Sequence, residues 1–172
     1  IKTALNQKHL ELGAKMVEYS GFEMPVSYEG LKIEHAAVRE KVGMFDVSHM
    51  GEFTVKGGGA LELLQNITTN DVSKLSDGKI QYSCIPNGRG GIVDDLLIYK
   101  VAEENYMLVV NASNIDKDWD FISNKISDGA YNVTMENTSE SWALIALQGP
   151  DATKALSPLM SLNPGELSYY TF

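Results

Sequence analysis

Two adjacent carboxylates interrupt an otherwise apolar run, Ile92-Val93-Asp94-Asp95-Leu96-Leu97-Ile98-Tyr99. The run reads as a strand. A strand's side chains alternate between its faces, so Asp94 and Asp95 point to opposite sides, and at least one shares a face with Val93, Leu97 and Tyr99. An unpaired carboxylate in that company costs on the order of a few kcal/mol or shifts its pKa. Two readings are open. One is a carboxylate kept for chemistry. The other is a paired structural aspartate, or an edge-strand charge that resists aggregation.

The preceding segment supplies geometry. Lys79 to Ile85 reads as a strand and Asn87-Gly88-Arg89-Gly90 as a hairpin loop. With Pro86 opposite Gly91, Tyr82 falls directly across from Asp95, on the face of Cys84, Val93, Leu97 and Tyr99. A carboxylate flanked by two tyrosines on an apolar floor suits a flat, heteroatom-rich ligand, whose ring the apolar area binds and whose polar edge a few groups orient. A slip of one residue would reverse the face. Cys84, as a strand cysteine, fits a core position better than a nucleophile.

Other segments offer weaker signals. In Phe45-Asp46-Val47-Ser48-His49-Met50-Gly51, Asp46 or Ser48 makes local turn bonds, or the segment is a site-lining loop with Met50 as an adaptable apolar contact. Asn111 offers donors and an acceptor at the end of a strand, either toward a ligand or to a turn. His9, His35 and His49 are scattered, without the spacing of a metal site. The glycine runs at Gly57 and Gly88 lack the signature of a phosphate-binding loop and read as turns. Ser48-His49 sits in no nucleophile elbow.

These residues need a scaffold. The chain has 172 residues, 44% of them hydrophobic, enough for one sizeable core or two small domains. A net charge of −9 argues against nucleic acid or an anionic membrane as main partner. One cysteine excludes internal disulfides and fits a reducing compartment. No apolar run has membrane-spanning length.

Periodicity predicts helices over 31–42, with Gly43 as C-terminal cap, over 60–67 with Leu61 and Leu64 inward, over 115–126 capped by Asn114, and over 151–160. Strands are expected at 52–56, 79–85, 92–101, 106–110 and 131–136. A buried strand is expected at 142–147, and the start of another at 167–172. The order β-α-β-β-β-α-β across 52–136 implies an α+β layer: an antiparallel sheet with helices on one face.

Several segments together resemble the aminomethyltransferases of the glycine cleavage system, the T-proteins. They are His9-x-x-Leu12-Gly13-Ala14-Lys15-Met16, Gly21-Phe22-Glu23-Met24-Pro25, Val42-Gly43-Met44-Phe45-Asp46-Val47-Ser48-His49-Met50-Gly51, Gly90-Gly91-Ile92-Val93-Asp94-Asp95-Leu96, Val110-Asn111-Ala112-Ser113-Asn114 and Leu147-Gln148-Gly149-Pro150. The Val42–Gly51 segment is the most specific. The Gly-Gly-Ile-x-Asp-Asp segment is shared with folate-binding parts of dimethylglycine and sarcosine dehydrogenases.

The resemblance implies a tetrahydrofolate-dependent transferase. Its one-carbon unit would come from the aminomethyl-lipoyl arm of a lipoylated H-protein, with release of ammonia. Asp95 maps to the catalytic aspartate, which hydrogen-bonds or deprotonates the folate amine and stabilises the cation formed as ammonia leaves. Met50, Tyr82, Tyr99 and Asn111 map to the folate pocket, and Tyr169 and Tyr170 add to it. No metal is implied. The location implied is the cytoplasm for a bacterial protein, or the mitochondrial matrix for a eukaryotic one.

Family members are about twice this long, in three domains. The expectation is therefore an incomplete, discontinuous first domain (1–50 and 137–172), an inserted ferredoxin-like second domain (51–136), no third domain, and a fragment that is not a competent enzyme alone. Competing readings are a folate-binding regulator of iron–sulfur maintenance, the folate-binding part of a demethylating dehydrogenase, and a structural fragment without ligand.

Overall fold

The computed structural model describes residues 1–172. In chain order the elements are α1 (Asn6–Glu11), β1 (Lys15–Tyr19), β2 (Phe22–Ser27), α2 (Leu31–Glu40), β3 (Gly43–Asp46), β4 (Gly51–Lys56) and α3 (Ala60–Ile67). There follow β5 (Lys79–Pro86), β6 (Ile92–Ala102), β7 (Asn105–Val110), α4 (Ile115–Gly129), β8 (Thr134–Asn137), β9 (Ile145–Gln148) and α5 (Ala152–Leu156). The fold is α+β with antiparallel sheets. Two compact units divide the chain: Ile1–His49 with Ala143–Leu167, and Met50–Trp142 with Ser168–Phe172.

The first unit holds two small sheets. β1 and β2 form a hairpin closed by Ser20-Gly21, both at positive φ (51° and 82°), as a two-residue turn matched to strand twist requires. β3 pairs with β9. Gly43 does not cap α2 but opens β3; a Cβ there would collide with Val38, so the glycine serves a close helix–strand approach. The apolar run at 142–147 forms only the short, half-exposed β9. The helix expected over 151–160 ends at Leu156 and tightens into a 3-10 turn containing Pro158.

The second unit is a five-stranded antiparallel sheet in the order β5-β6-β7-β4-β8, with α3 and α4 on one face. Its core interleaves Phe53, Val55, Leu96, Ile98 and Leu108 from the sheet with Leu63, Leu64 and Ile67 from α3 and Ile122 from α4. On α3 the inward residues are Ala60, Leu63, Leu64 and Ile67, whereas Leu61 is 39% exposed, since 60, 63, 64 and 67 make the continuous helical stripe. Two segments expected with the first unit lie here. Thr138 N donates to Glu52 O (2.9 Å) and Ser139 Oγ accepts from Glu52 N (2.9 Å). The terminal residues form no full strand but bridge at Lys79–Thr171, with Ile80 N donating to Tyr170 O at 2.9 Å.

The β5–β6 register differs from expectation by two residues: Cys84 faces Asp95 and Tyr82 faces Leu97. Asn87 and a bulge are the cause. Its Oδ1 accepts from Arg89 N (2.8 Å) and Gly91 N (3.0 Å), and its own N–H donates to Gly91 O (2.9 Å), so the loop takes in Gly91. A bulge then adds one residue between Pro86↔Ile92 and Ile85↔Asp94. A shift of two preserves the face. Along β6, Asp94, Leu96 and Ile98 are buried toward the helices, while Asp95, Leu97 and Tyr99 occupy the other face.

Phe53 is fully buried and meets Trp119 edge-on at 5.3 Å between ring centroids. Phe53→Ala should lower unfolding stability by about 3–5 kcal/mol, read from urea denaturation. An unchanged midpoint would contradict this core.

Candidate functional site

The site is built on the sheet face that carries no helix. Asp95 accepts two hydrogen bonds, from Tyr82 Oη to Oδ2 (2.7 Å) and from Asn111 Nδ2 to Oδ1 (2.8 Å). The Tyr82 hydroxyl is pushed up to about 12, first by that bond to Asp95, so it stays a donor at neutral pH. Asn111 follows β7, and its Nδ2 also donates to Asp94 Oδ1 at 2.9 Å and to the Asp95 carbonyl at 3.2 Å. Its amide orientation is dictated by charge, because the carbonyl end could not face two carboxylates.

The strand registers order the rest of this face. Leu97 and Tyr82 pair across β5–β6, Leu97 and Val109 across β6–β7, and Val109 and Glu52 across β7–β4. The next row is Ile80, Tyr99, Met107 and Thr54. Met50, half-buried, immediately precedes β4, whose Gly51 pairs with Val110, so Met50 and Asn111 leave the sheet at the same end.

Tyr99 lies one row beyond Leu97 and meets Phe172 edge-on at 5.2 Å. Burial, then the carboxyl of Glu52 and the hydroxyl of Tyr170, push its phenol up. Tyr170 is half-buried and Tyr169 is 88% exposed, its ring 4.5 Å from that of Tyr170. The structure thus joins Tyr82, Asp95 and Asn111 by hydrogen bonds and clusters Tyr99 with the C-terminal residues, while Tyr169 faces outward. Cys84 lies on this open face beside Asp95, not in the core, because its strand parity is that of Tyr82.

The chain matches the family described as "GCVT N-terminal domain" over residues 5–172. It belongs to that family. It is 57% identical to an aminomethyltransferase of Flavobacterium psychrophilum and 55% identical to one of Chloroherpeton thalassium, in each case over 99% of this chain and 46% of the relative. The crystal structure of glycine cleavage system aminomethyltransferase T from Bartonella henselae superposes with a TM-score of 0.91 at 32% identity, covering 99% of this chain and 46% of that one. The chain therefore spans about half the length of the curated relatives it matches. The resemblance to this family, read from the motifs, is shown by these matches.

In the first unit, the Asp46 carboxylate of the family-like Phe45–Gly51 segment serves the fold. Its Oδ2 accepts from Thr3 Oγ1 (2.7 Å) and faces His9 Nε2 (2.9 Å), and its Oδ1 accepts from Ser48 N (2.9 Å). Burial acts to raise it, but the bonds from His9, Ser48 and Thr3 outweigh this and hold it below the usual carboxylate range. Ser48 Oγ is engaged by the Leu144 backbone, which removes it as a nucleophile.

Two further acids in the second unit escaped the sequence reading. Glu52 is 3% exposed and Asp118 is fully buried. Asp118 carried a signal, since it sits on the inward stripe of α4 between Ile115 and Ile122; Glu52 carried none, because it alternates with Phe53 and Val55 on the outward side with Thr54.

Burial raises the Glu52 carboxyl to about 7, and its Oε2 has no hydrogen-bond partner. Its contribution to stability is full below the unfolded carboxyl's pKa of about 4.3 and is lost as pH rises through the raised value. Glu52→Gln should remove this dependence, gaining about 1–3 kcal/mol over the parent between pH 4.5 and pH 8. Thermal melts across that range check it; parallel curves for the two proteins would refute a buried, raised Glu52.

Proposed function

We propose that this chain is the folate-binding half of an aminomethyltransferase of the glycine cleavage system. That enzyme would pass the one-carbon unit of an aminomethyl-lipoyl arm, carried by an H-protein, to tetrahydrofolate with release of ammonia. The observation that carries the reading is the setting of Asp95. Both its oxygens are held by neutral donors, Tyr82 and Asn111, and it rises from a floor of Leu97, Tyr99, Met107 and Val109. The donors orient the carboxylate without neutralising it, so its charge stays free for a developing cation.

Tetrahydrofolate fits these residues by its chemistry. A flat pterin-like ring suits the apolar rows, and its ring N–H groups need an anionic acceptor. When bound, it supplies the nucleophilic amine. Asp95 accepts a hydrogen bond or a proton from that amine and offsets positive charge as ammonia departs. Tyr82 and Asn111 orient Asp95, and Tyr99, Met50 and Tyr170 wall the ring, with Tyr169 reaching it from the exposed end.

In this reading the second unit is the inserted ferredoxin-like domain. The order of β6, β7, β4 and β8 around α3 and α4 supports it, with β5 as an added edge strand. The first unit is part of the discontinuous first domain. The remaining half of the relatives' length completes the pocket, so the chain alone does not turn over.

In a protein extended to the length of its relatives, Asp95→Asn should lower kcat for the one-carbon transfer at least 100-fold while the fold is retained. Tyr82→Phe, which deletes one donor to Asp95, should cost about tenfold. The assay is ammonia release from aminomethylated H-protein in the presence of tetrahydrofolate. Turnover by Asp95→Asn equal to the parent would sink the assignment.

A further inference from the structure

Behind Asp95, on the helix-covered side of the same sheet, lie three buried carboxylate oxygens without a donor: Asp94 Oδ2, Asp118 Oδ1 and Asp118 Oδ2. Asp118 is 0% exposed and Asp94 is 8% exposed. Each carboxyl acts on the ionisation of the other, the pair holding Asp94 down and pushing Asp118 up. Two anions cannot share such a place, for each would be desolvated beside a like charge. A single proton between them resolves it, turning one acceptor into a donor and satisfying an oxygen on each side.

We propose that Asp118 is a positioning residue that keeps a proton and donates it in a hydrogen bond to Asp94, so that Asp94 as the anion fixes the Asn111 amide that holds Asp95. This rests on the reading of Asp95 as the reacting carboxylate. A proton on Asp118 would serve Asp94 Oδ2, which has no other donor, while Asp94 Oδ1 takes one Asn111 hydrogen (2.9 Å) and the same amide's other hydrogen goes to Asp95 Oδ1 (2.8 Å).

The surroundings decide which acid keeps the proton. Asp94 receives Asn111, and Asn114, which makes no cap bond on α4, also favours its charged form. Burial works against the Asp94 charge, but Asp118, Asn111 and Asn114 together hold its carboxyl below the usual range. Asp118 has no amide partner. Burial first, then its bond to Asp94, raise it to about 7, with Asp95 adding to the rise and Lys117 opposing it. Lys117 does not pair with Asp118; its ammonium donates to Val93 O at 2.6 Å. The facing α3 contributes only apolar residues to the shared core: Ala60, Leu63, Leu64 and Ile67. The charged groups that act on Asp118 are thus Asp94 on its own side of the sheet, Asp95 from the other face of β6, and Lys117 from its own helix.

The sign of the pH effect follows. A neutral Asp118 favours the folded arrangement fully below the unfolded carboxyl's value of about 3.9 and progressively less as pH climbs through about 7. Above that, two buried anions repel and Asn111 loses a fixed anchor.

The test compares Asp118→Asn, whose amide can still donate to Asp94, with Asp118→Ala, which cannot, in the protein extended to its relatives' length. Asp118→Asn should keep tetrahydrofolate affinity and kcat within a few-fold of the parent, and should hold its activity at alkaline pH better than the parent. Asp118→Ala should lose about 10- to 100-fold in kcat through misplacement of Asp95. Equal losses in both variants would overturn the donor role, as would parent-like turnover by Asp118→Ala.

Carboxyl carbon-13 NMR of aspartate-labelled protein, with the Asp118 signal identified by its absence in Asp118→Asn, gives a readout that does not depend on catalysis or on Asp118→Ala folding. Asp118 should titrate near neutral pH. Titration near that of a free aspartate would refute the proposal even with Asp95 confirmed as catalytic. Parent-like turnover by Asp95→Asn would instead remove the reading beneath it while leaving the carboxyl titration as found.

Discussion

One side-chain amide sets the chemistry of the second unit. Asn111 has two hydrogens on Nδ2, and they bridge carboxylates that β6 sends to opposite faces of the sheet. Two adjacent acids on a strand point apart and cannot share a cation or a water. An amide at the end of the neighbouring strand can reach both, because β6 pairs with β7 in the register that ends at Leu96↔Val110. A bulge lies beside Asp94, where the β5–β6 ladder skips one residue. Moving Asn111 by one residue would take from Asp94 the one amide bonded to its Oδ1 and leave Asp95 held by Tyr82 alone.

Much of this was legible because strand parity is robust. The alternation through Asp94, Asp95, Leu96 and Leu97 identifies the faces without knowledge of the partner strand, and Tyr82 stays on the Asp95 face under any even shift of register. Of the actual shift of two, one residue came from Asn87, whose side chain imitates a backbone turn and so lengthens the loop, and one from the bulge beside Asp94. Such bonds are invisible to a count of loop residues. The hairpin at 15–27 went unread for a related reason. Its turn is Ser20-Gly21, and a serine at φ 51° gives no compositional warning, unlike asparagine before glycine. Leu61 misled because helical spacing from Leu64 alone admits two stripes. The second stripe wins only when Ala60, Leu63 and Ile67 meet the sheet.

Asp118 and Glu52 show the opposite limit. Asp118 is an acid where the helical stripe demands an apolar residue, Glu52 is an acid on the outward side of β4 that is nonetheless buried, and both carry carboxyls raised to about 7 by burial. A reading that sorts residues into inward and outward places every acid outward and discards the conflict. The conflict is itself informative, since a buried acid must be neutralised, paired or functional. Asp46 shows the paired solution in the first unit, where three donors make the anion the favoured form. Glu52 and Asp118 lack such donors and tend toward the neutral form.

The two faces of the sheet therefore ask different things of the same pair of residues. On the open face the donors that hold Asp95 are both neutral, and under the proposed function a cation there would quench the charge that a substrate requires. On the covered face Asp94 must also be an anion to hold Asn111, yet it sits among apolar side chains that oppose charge. A neighbouring lysine could neutralise it, but Lys117 is committed to the Val93 carbonyl, and a lysine at this depth would compete with Asn111 for the carboxylate. A second acid that holds a proton is the alternative that adds no charge. It supplies one short donor and leaves the Asp94 anion intact. It also occupies no more space than the asparagine that could replace it. On the proposed reading, a carboxyl pair inside this core lets Asp95 be positioned from behind without a cation bonded to either carboxylate.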